Sequence, residues 1–391
     1  VAIGAWVDTG TRDELPNEAG ASHFLEHLLF KGSAKLSSRE ISERFDSMGA
    51  EANAFTSKDH TCFWARLLDT DLADGVEILA EMLQRPAFRK KEIDSERQVV
   101  VEEINEAEDD PADRAFERFT GLVFTGHPLE RPILGTRESL RAMKPKDISG
   151  YWSRRYGARS TVIALAGSIE HDVAVKLVGD LFGEWDGQPA DHDHGPIGGE
   201  ARATVLTKPI EQAHLVVGGV GFQRADPRKW PFEVLNVVLG GGMSSRLFTT
   251  IREEKGLAYS VSSFRIAFAD AGAWGVYAAT TPGNAKQVIG LIEKEIQHVV
   301  KKGITRAELD RAKGSMRGSL ALAMEDANSR MVRLGRDEMV GAPHMSIDER
   351  IARIDAVTGD EVLSVAGEIL TVPKVISVVG PFPEDSAEEW L

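Results

Sequence analysis

Leu25-Glu26-His27-Leu28-Leu29-Phe30-Lys31-Gly32 is echoed about 210 residues later by Leu235-Asn236-Val237-Val238-Leu239-Gly240-Gly241-Gly242. Both stretches read as the end of an apolar helix stopped by glycine, followed by a short loop and a second helix. In the first half that second helix opens with Ser37-x-x-Glu40, a capping box in which serine and glutamate satisfy each other's backbone N–H groups. In the second half it opens at Ser244 or Ser245, and the two helices stop at Gly49 and Gly256. Each half then gives a strand-like run and several helical segments, and closes on an apolar strand, 161–167 (TVIALAG) and 375–380 (VISVVG). A period near half the chain length predicts two copies of one architecture.

Strands mixed with longer helices, without strict alternation, predict an α+β class: two similar domains, each a mostly antiparallel sheet covered by helices. Residues 187–200 (GQPADHDHGPIGGE) carry Gly, Pro, Asp and His with no periodicity, which is linker chemistry. The expected division is therefore 1–186, a linker at 187–200, and 201–391. Residues 201–210 (ARATVLTKPI) read as the first strand of the second half. Its counterpart would fall before Val1, so the first domain is expected to lack that strand.

At 391 residues, 42% hydrophobic and 27% charged, the chain exceeds what one hydrophobic core fills and has the composition of a globular protein. A net charge of -15 repels phosphate backbones and anionic lipid, so neither nucleic acid nor a membrane is expected as partner. Cys62, the single cysteine, closes no internal disulfide and builds no cysteine-rich metal knuckle; it is expected as a buried thiol in a reducing compartment. No apolar run approaches the roughly 18 residues of a membrane span.

His23-Phe24-Leu25-Glu26-His27 lies in the first helical stretch. Two histidines four apart project from one helix face, the spacing that lets two imidazoles share a metal ion. Glu26 lies one step off that face, where it can reach a metal-bound water without ligating. A catalytic zinc has three protein ligands and an open position, so a third ligand is required. Glu96 and Glu103 sit in a helical run with Ile93, Val100 and Ile104 on its apolar side, and seven residues bring both carboxylates to one face. Either can ligate while the other orients a ligand histidine from behind.

The inverted motif H-x-x-E-H with a glutamate about 76 residues further on resembles the signature of the pitrilysin family of zinc peptidases, the inverzincins. Ser22 to Gly32, Gly126-His127-Pro128-Leu129 with Gly135-Thr136, and Ser244-Ser245-Arg246-Leu247 are similar to the mitochondrial processing peptidase branch and its bacterial homologues. The resemblance implies a zinc-dependent endopeptidase with one Zn2+ per chain. It makes His23, His27 and Glu103 the ligands, Glu26 the general base and Glu96 the support behind a ligand. It also implies an Arg and a Tyr seven residues apart that stabilise the oxyanion, supplied here by Arg252 and Tyr259. Asn53, Ala54 and Phe55, in 49–56 (GAEANAFT), resemble the family's edge strand, which receives substrate by strand addition.

Asn236 and Val237 stand where a second metal box would need glutamate and histidine, so one metal site per chain is expected. By resemblance, two such chains close as a clamshell homodimer around a peptide or an unfolded polypeptide. An active subunit that needs a motif-less partner chain, a non-catalytic scaffold and a structural-zinc protein are the competing readings. The bacterial cytoplasm is the expected compartment, the mitochondrial matrix the other. His192 and His194 read as solvated turn residues, and Gly240 to Gly242, with no Lys-Ser or Lys-Thr after them, form no phosphate loop.

Overall fold

The computed structural model describes residues 1–188, 197 and 199–391. Most of the expected linker, with His192 and His194, lies outside them. Two compact units emerge: Val1–Glu106 with Arg131–His194 and Leu322–His344, and Ala107–Glu130 with Gly195–Ala321 and Met345–Leu391.

The first unit holds β1 (Ala2–Val7), β2 (Glu51–Thr56), β3 (Thr61–Arg66) and β4 (Thr161–Ala166), antiparallel throughout in the order β2-β3-β1-β4. Its first-half helices are α1 (Ala21–Leu29), α2 (Ser38–Ser47), α3 (Leu72–Gln84) and α4 (Lys90–Asp109). After α5 (Pro111–Val123) come α6 (Arg137–Ala142), α7 (Pro145–Arg155) and α8 (His171–Phe182). The second sheet joins β5 (Arg202–Thr207), β6 (Ala213–Val220), β7 (Ala258–Ala267), β8 (Gly272–Thr280) and β9 (Val375–Gly380) in the order β5-β9-β6-β8-β7. Only the β5 pairing with β9 is parallel. The remaining helices of the second half are α9 (Lys229–Leu239), α10 (Ala285–Lys302), α11 (Arg306–Ala323), α12 (Ala327–Met339), α13 (Ile347–Ala356) and α14 (Gly359–Ile369). The class is α+β, as expected.

The period of two along β1 divides its side chains between two faces. Ile3, Ala5 and Val7 enter a large core with α1, α3 and α4, while Ala2 and Trp6 enter a smaller one with Met331 of α12. That is why Ala-Ile-Gly-Ala-Trp-Val is apolar at nearly every position. In the second unit β9 does the same: Ile376 and Val378 face the large core, Val375 and Val379 face Phe119 and Val123 of α5.

The units are therefore not contiguous along the chain. Helix α5, from the first half, covers β6 and β9, and α12, from the second half, covers β1 and β4. A division at a linker does not contain this exchange. It is fixed by close packing: the indole N–H of Trp6 donates to Met331 Sδ at 3.4 Å, and a Cβ at Gly335 would lie 2.2 Å from that nitrogen.

Among the described residues, the first sheet ends at β4, with no strand in the place β5 takes beside β9. Beside the outer edge of β4 is a cavity of about 770 Å³ lined by Val162, Ala164, Val175, Val178 and Leu334. The helix expected after Ser244 takes a π-helical form over Phe248–Glu254. No helix among the described residues is long and apolar enough to cross a membrane.

Candidate metal centre

Helix α1 carries the two histidines. Phe24, Leu25, Leu28 and Leu29 bury its apolar side, which leaves His23 and His27 on the other side with ring centroids 4.6 Å apart. The helix starts at Gly20, whose φ of +87° is left-handed and whose missing side chain offers no cap. Glu14, from the preceding loop, takes that role: its carboxylate accepts the N–H groups of Gly20 and Ser22, each at 2.8 Å. Ser22 Oγ lies 2.7 Å from the buried Tyr151 hydroxyl, which ties the first turn to α7.

Helix α4 brings the carboxylates. Ile93, Val100 and Ile104 are buried as the pattern requires, and Glu96 and Glu103 both turn toward α1. Glu103 Oε2 lies 3.7 Å from His23 Nε2 and 3.5 Å from His27 Nε2. Glu96 Oε1 lies 2.9 Å from His27 Nδ1, and Lys31 Nζ is 2.8 Å from the other Glu96 oxygen. Glu103 thus lies nearest the Nε2 atoms of both histidines, and Glu96 lies behind His27, at its Nδ1.

The set fits a divalent ion. A tetrahedral centre with bonds of about 2.0–2.1 Å holds its ligand atoms roughly 3.3–3.4 Å apart, close to the two separations seen. Among the described residues this is the one group of three or more His, Cys, Asp or Glu side chains that converges within 4.8 Å. Glu103 Oε2 is buried and has no hydrogen-bond donor, a costly position for a carboxylate oxygen unless a cation meets it. Burial, with His27 alongside, lowers the His23 pKa to about 4, so its ring is neutral and able to ligate at neutral pH.

Glu26 sits beside this group. Thr56, the last residue of β2, donates its hydroxyl to Glu26 Oε2 at 2.5 Å. Burial raises the Glu26 pKa against the opposing pull of the Thr56 hydrogen bond, the direction a general base at neutral pH needs. Burial raises the Glu103 pKa as well, with His27 opposing it.

β2 is an edge strand of the first sheet. Asn53 is exposed, and Ala54 and Phe55 are half-buried. The Phe55 ring packs edge-on against Trp6 at 5.5 Å and His60 at 6.0 Å, with the Arg336 guanidinium 6.0 Å away. Its side chain is committed to the sheet's own packing. Asn53 Oδ1 accepts the Ala54 N–H at 2.8 Å.

Arg252 and Tyr259 belong to the second unit. The Arg252 guanidinium lies 4.7 Å from the Phe248 ring centroid and 5.5 Å from that of Tyr259, so the pair does meet. Tyr259 falls at a bulge in β7 and is 77% exposed; such irregularities re-aim a side chain. Cys62 is buried, as expected.

Three further residues of the site are not among those the sequence singles out. Thr56 shares the parity of Ala52 and Ala54, which pack toward the helical core, and that signal is available. Lys31 follows His27 by four, also a readable spacing. Nothing local marks Glu14.

Residues 1–137 match the insulinase model of peptidase family M16, and residues 142–316 match that of the M16 inactive domain. An uncharacterized zinc protease of Streptomyces coelicolor is 39% identical over 98% of this chain and 86% of its own length. One from Mycobacterium leprae is 40% identical over 97% and 87%, and YmxG of Bacillus subtilis, also an uncharacterized zinc protease, 37% over 97% and 93%. Two solved structures share the fold at a TM-score of 0.91 and 21% identity. They are a peptidase M16 inactive domain from Pseudomonas fluorescens, covering 98% of this chain and 93% of that one, and a protease from Helicobacter pylori, covering 97% and 94%. Matched by M16 family models over residues 1–137 and 142–316, with relatives 37–40% identical across nearly its whole length, the chain belongs to peptidase family M16.

Proposed function

We propose that this protein is a zinc-dependent endopeptidase of the inverted H-x-x-E-H type, acting on peptides or unfolded segments. What supports the reading is the convergence of two imidazole nitrogens and one donor-less carboxylate oxygen, with a separate acid held beside them. His23, His27 and Glu103 would hold the ion. When bound, zinc supplies Lewis acidity that lowers the pKa of a water to about 7 and polarises a carbonyl.

Glu26 takes the proton of the attacking water and returns it to the leaving amine. Burial raises its pKa, the direction that suits a group which must both take and return a proton. Thr56 fixes one Glu26 oxygen and leaves the other for the proton. Glu96 accepts the Nδ1 proton of His27, which commits Nε2 to ligation. Arg252 and Tyr259 supply donors to the tetrahedral oxyanion, a role carried from the family resemblance. The free edge of β2 offers main-chain groups to an extended substrate, with Phe55 acting as structural support. The M16 relatives named above are bacterial, and the single cysteine suits a reducing interior; the bacterial cytoplasm completes the reading.

A motif-less scaffold is opposed by the filled ligand positions, and a structural zinc site has no use for Glu26. The test is zinc stoichiometry together with cleavage of a denatured protein, with and without chelator. One zinc per chain and chelator-sensitive cleavage are expected. Glu26→Gln should keep the metal and lose about 10²-fold or more in turnover; loss of the metal from that variant overturns the assignment.

A further inference from the structure

Lys31 is given no role by the peptidase reading, yet it stands at the end of the chain of contacts that reaches the metal ligands. α1 ends at Leu29, and Lys31 follows one residue beyond its C-cap, Phe30, anchored by its N–H to the Leu28 carbonyl at 3.0 Å. Its ammonium lies 2.8 Å from Glu96 Oε2, while Glu96 Oε1 lies 2.9 Å from His27 Nδ1. The Glu96 side chain is 7% exposed, so its carboxylate has little water to solvate it. A buried carboxylate that loses its cationic partner keeps an uncompensated charge, which favours a new contact with another cation. Here the nearby alternative is the metal position itself, since Glu96 and Glu103 share one face of α4.

We propose that Lys31 is a positioning residue for the metal centre: by pairing with one Glu96 oxygen it keeps the other on His27 Nδ1 and keeps Glu96 off the ion. His27 is thereby held in the tautomer whose Nε2 lone pair is free, and the three-ligand site keeps an open position. The ion pair also balances charge. Glu26, Glu96 and Glu103 are offset by one lysine and one divalent cation. The inference rests on the zinc-peptidase reading of the same site.

The sign of one measurement separates this role from simple electrostatics. Removing a positive charge near a dication should tighten zinc by Coulomb's law. Loss of a positioning contact should loosen it, about 10- to 100-fold. Zinc dissociation constants would be measured by chelator competition for the wild-type chain, Lys31→Met, Lys31→Arg, Glu96→Gln and the Lys31→Met/Glu96→Gln double variant. His27 would be read in the apo chain by nitrogen-15 NMR.

Lys31→Met should bind zinc at least tenfold more weakly and show His27 as a mixture of tautomers. Lys31→Arg, which retains the ion pair, should stay within a few-fold of wild type. The lysine change should have little further effect once Glu96 is glutamine. Unchanged or tighter zinc binding in Lys31→Met, or an equal loss in both Glu96 backgrounds, overturns the proposal. A wild-type chain that binds no zinc overturns the underlying reading instead, so the two failures are distinguishable.

Discussion

Thr56 and Glu26 show how much depends on a single contact. Glu26 is buried beside two histidines and another acid, so its carboxylate has several partners to choose from. One hydroxyl at 2.5 Å decides its orientation. Thr56→Val removes that donor at nearly constant volume. A hydrogen bond to a charged group is worth roughly 1.5–3 kcal/mol, so kcat/KM for a peptide should fall at least tenfold. Zinc stoichiometry should stay at one per chain, because Thr56 touches no ligand. Steady-state cleavage and metal analysis on the same preparation check this, and an unchanged rate would remove Thr56 from the mechanism.

At the scale of elements, α1 is the part on which the site is built, and its N-terminus has an unusual cap. Glu14 is almost fully buried, and burial raises its pKa to about 8 despite the Ser22 and Gly20 N–H groups and Arg131, which favour the charge. The folded chain keeps this proton up to about pH 8, whereas an unfolded glutamate releases it near 4.5. The contribution of Glu14 to stability is therefore complete below about pH 4.5 and declines as pH rises through 8. Glu14→Gln, neutral throughout, should show a flatter fall in melting temperature from pH 5 to 8 than wild type, both in chelator so that metal binding adds nothing. Parallel curves would mean that Glu14 titrates normally.

The elements also mark where sequence reading succeeds and where it stops. The i, i+4 histidines, the seven-residue glutamate pair and the closing strands β4 and β9 are legible because their periodicity alone sets their faces. The exchange of α5 and α12 is not. An apolar stripe such as Ala115, Phe119 and Val123 says that a helix must be covered, and is silent about which sheet covers it. The surroundings of Phe55 are silent for a related reason: Trp6, His60 and Arg336, all outside its own strand, meet its ring.

Across the whole molecule, both units are a mostly antiparallel sheet with helices, and the cluster of His23, His27 and Glu103 lies in one of them. Asn236 and Val237 occupy the second unit's equivalent of the metal box, while Arg252 and Tyr259, given a catalytic role in the proposal, stand in that same unit. If their role is exercised on the metal site of a second copy, the homodimer is the catalytic unit and each site draws on both chains. Glu26→Gln and Arg252→Ala chains are each expected to be nearly inactive. Mixed in equal amounts and allowed to exchange, half of the dimers pair the two variants. In each of these, one site combines an intact Glu26 with an unaltered arginine from the other chain. Activity should then return to about a quarter of the wild-type value. A site completed within one chain predicts no recovery at all, since every intact Glu26 then sits in a chain that carries the Arg252→Ala change. Proven subunit exchange, followed by mass measurement of the mixed dimer without any regained cleavage, would rule out the shared site and leave Arg252 acting in its own chain.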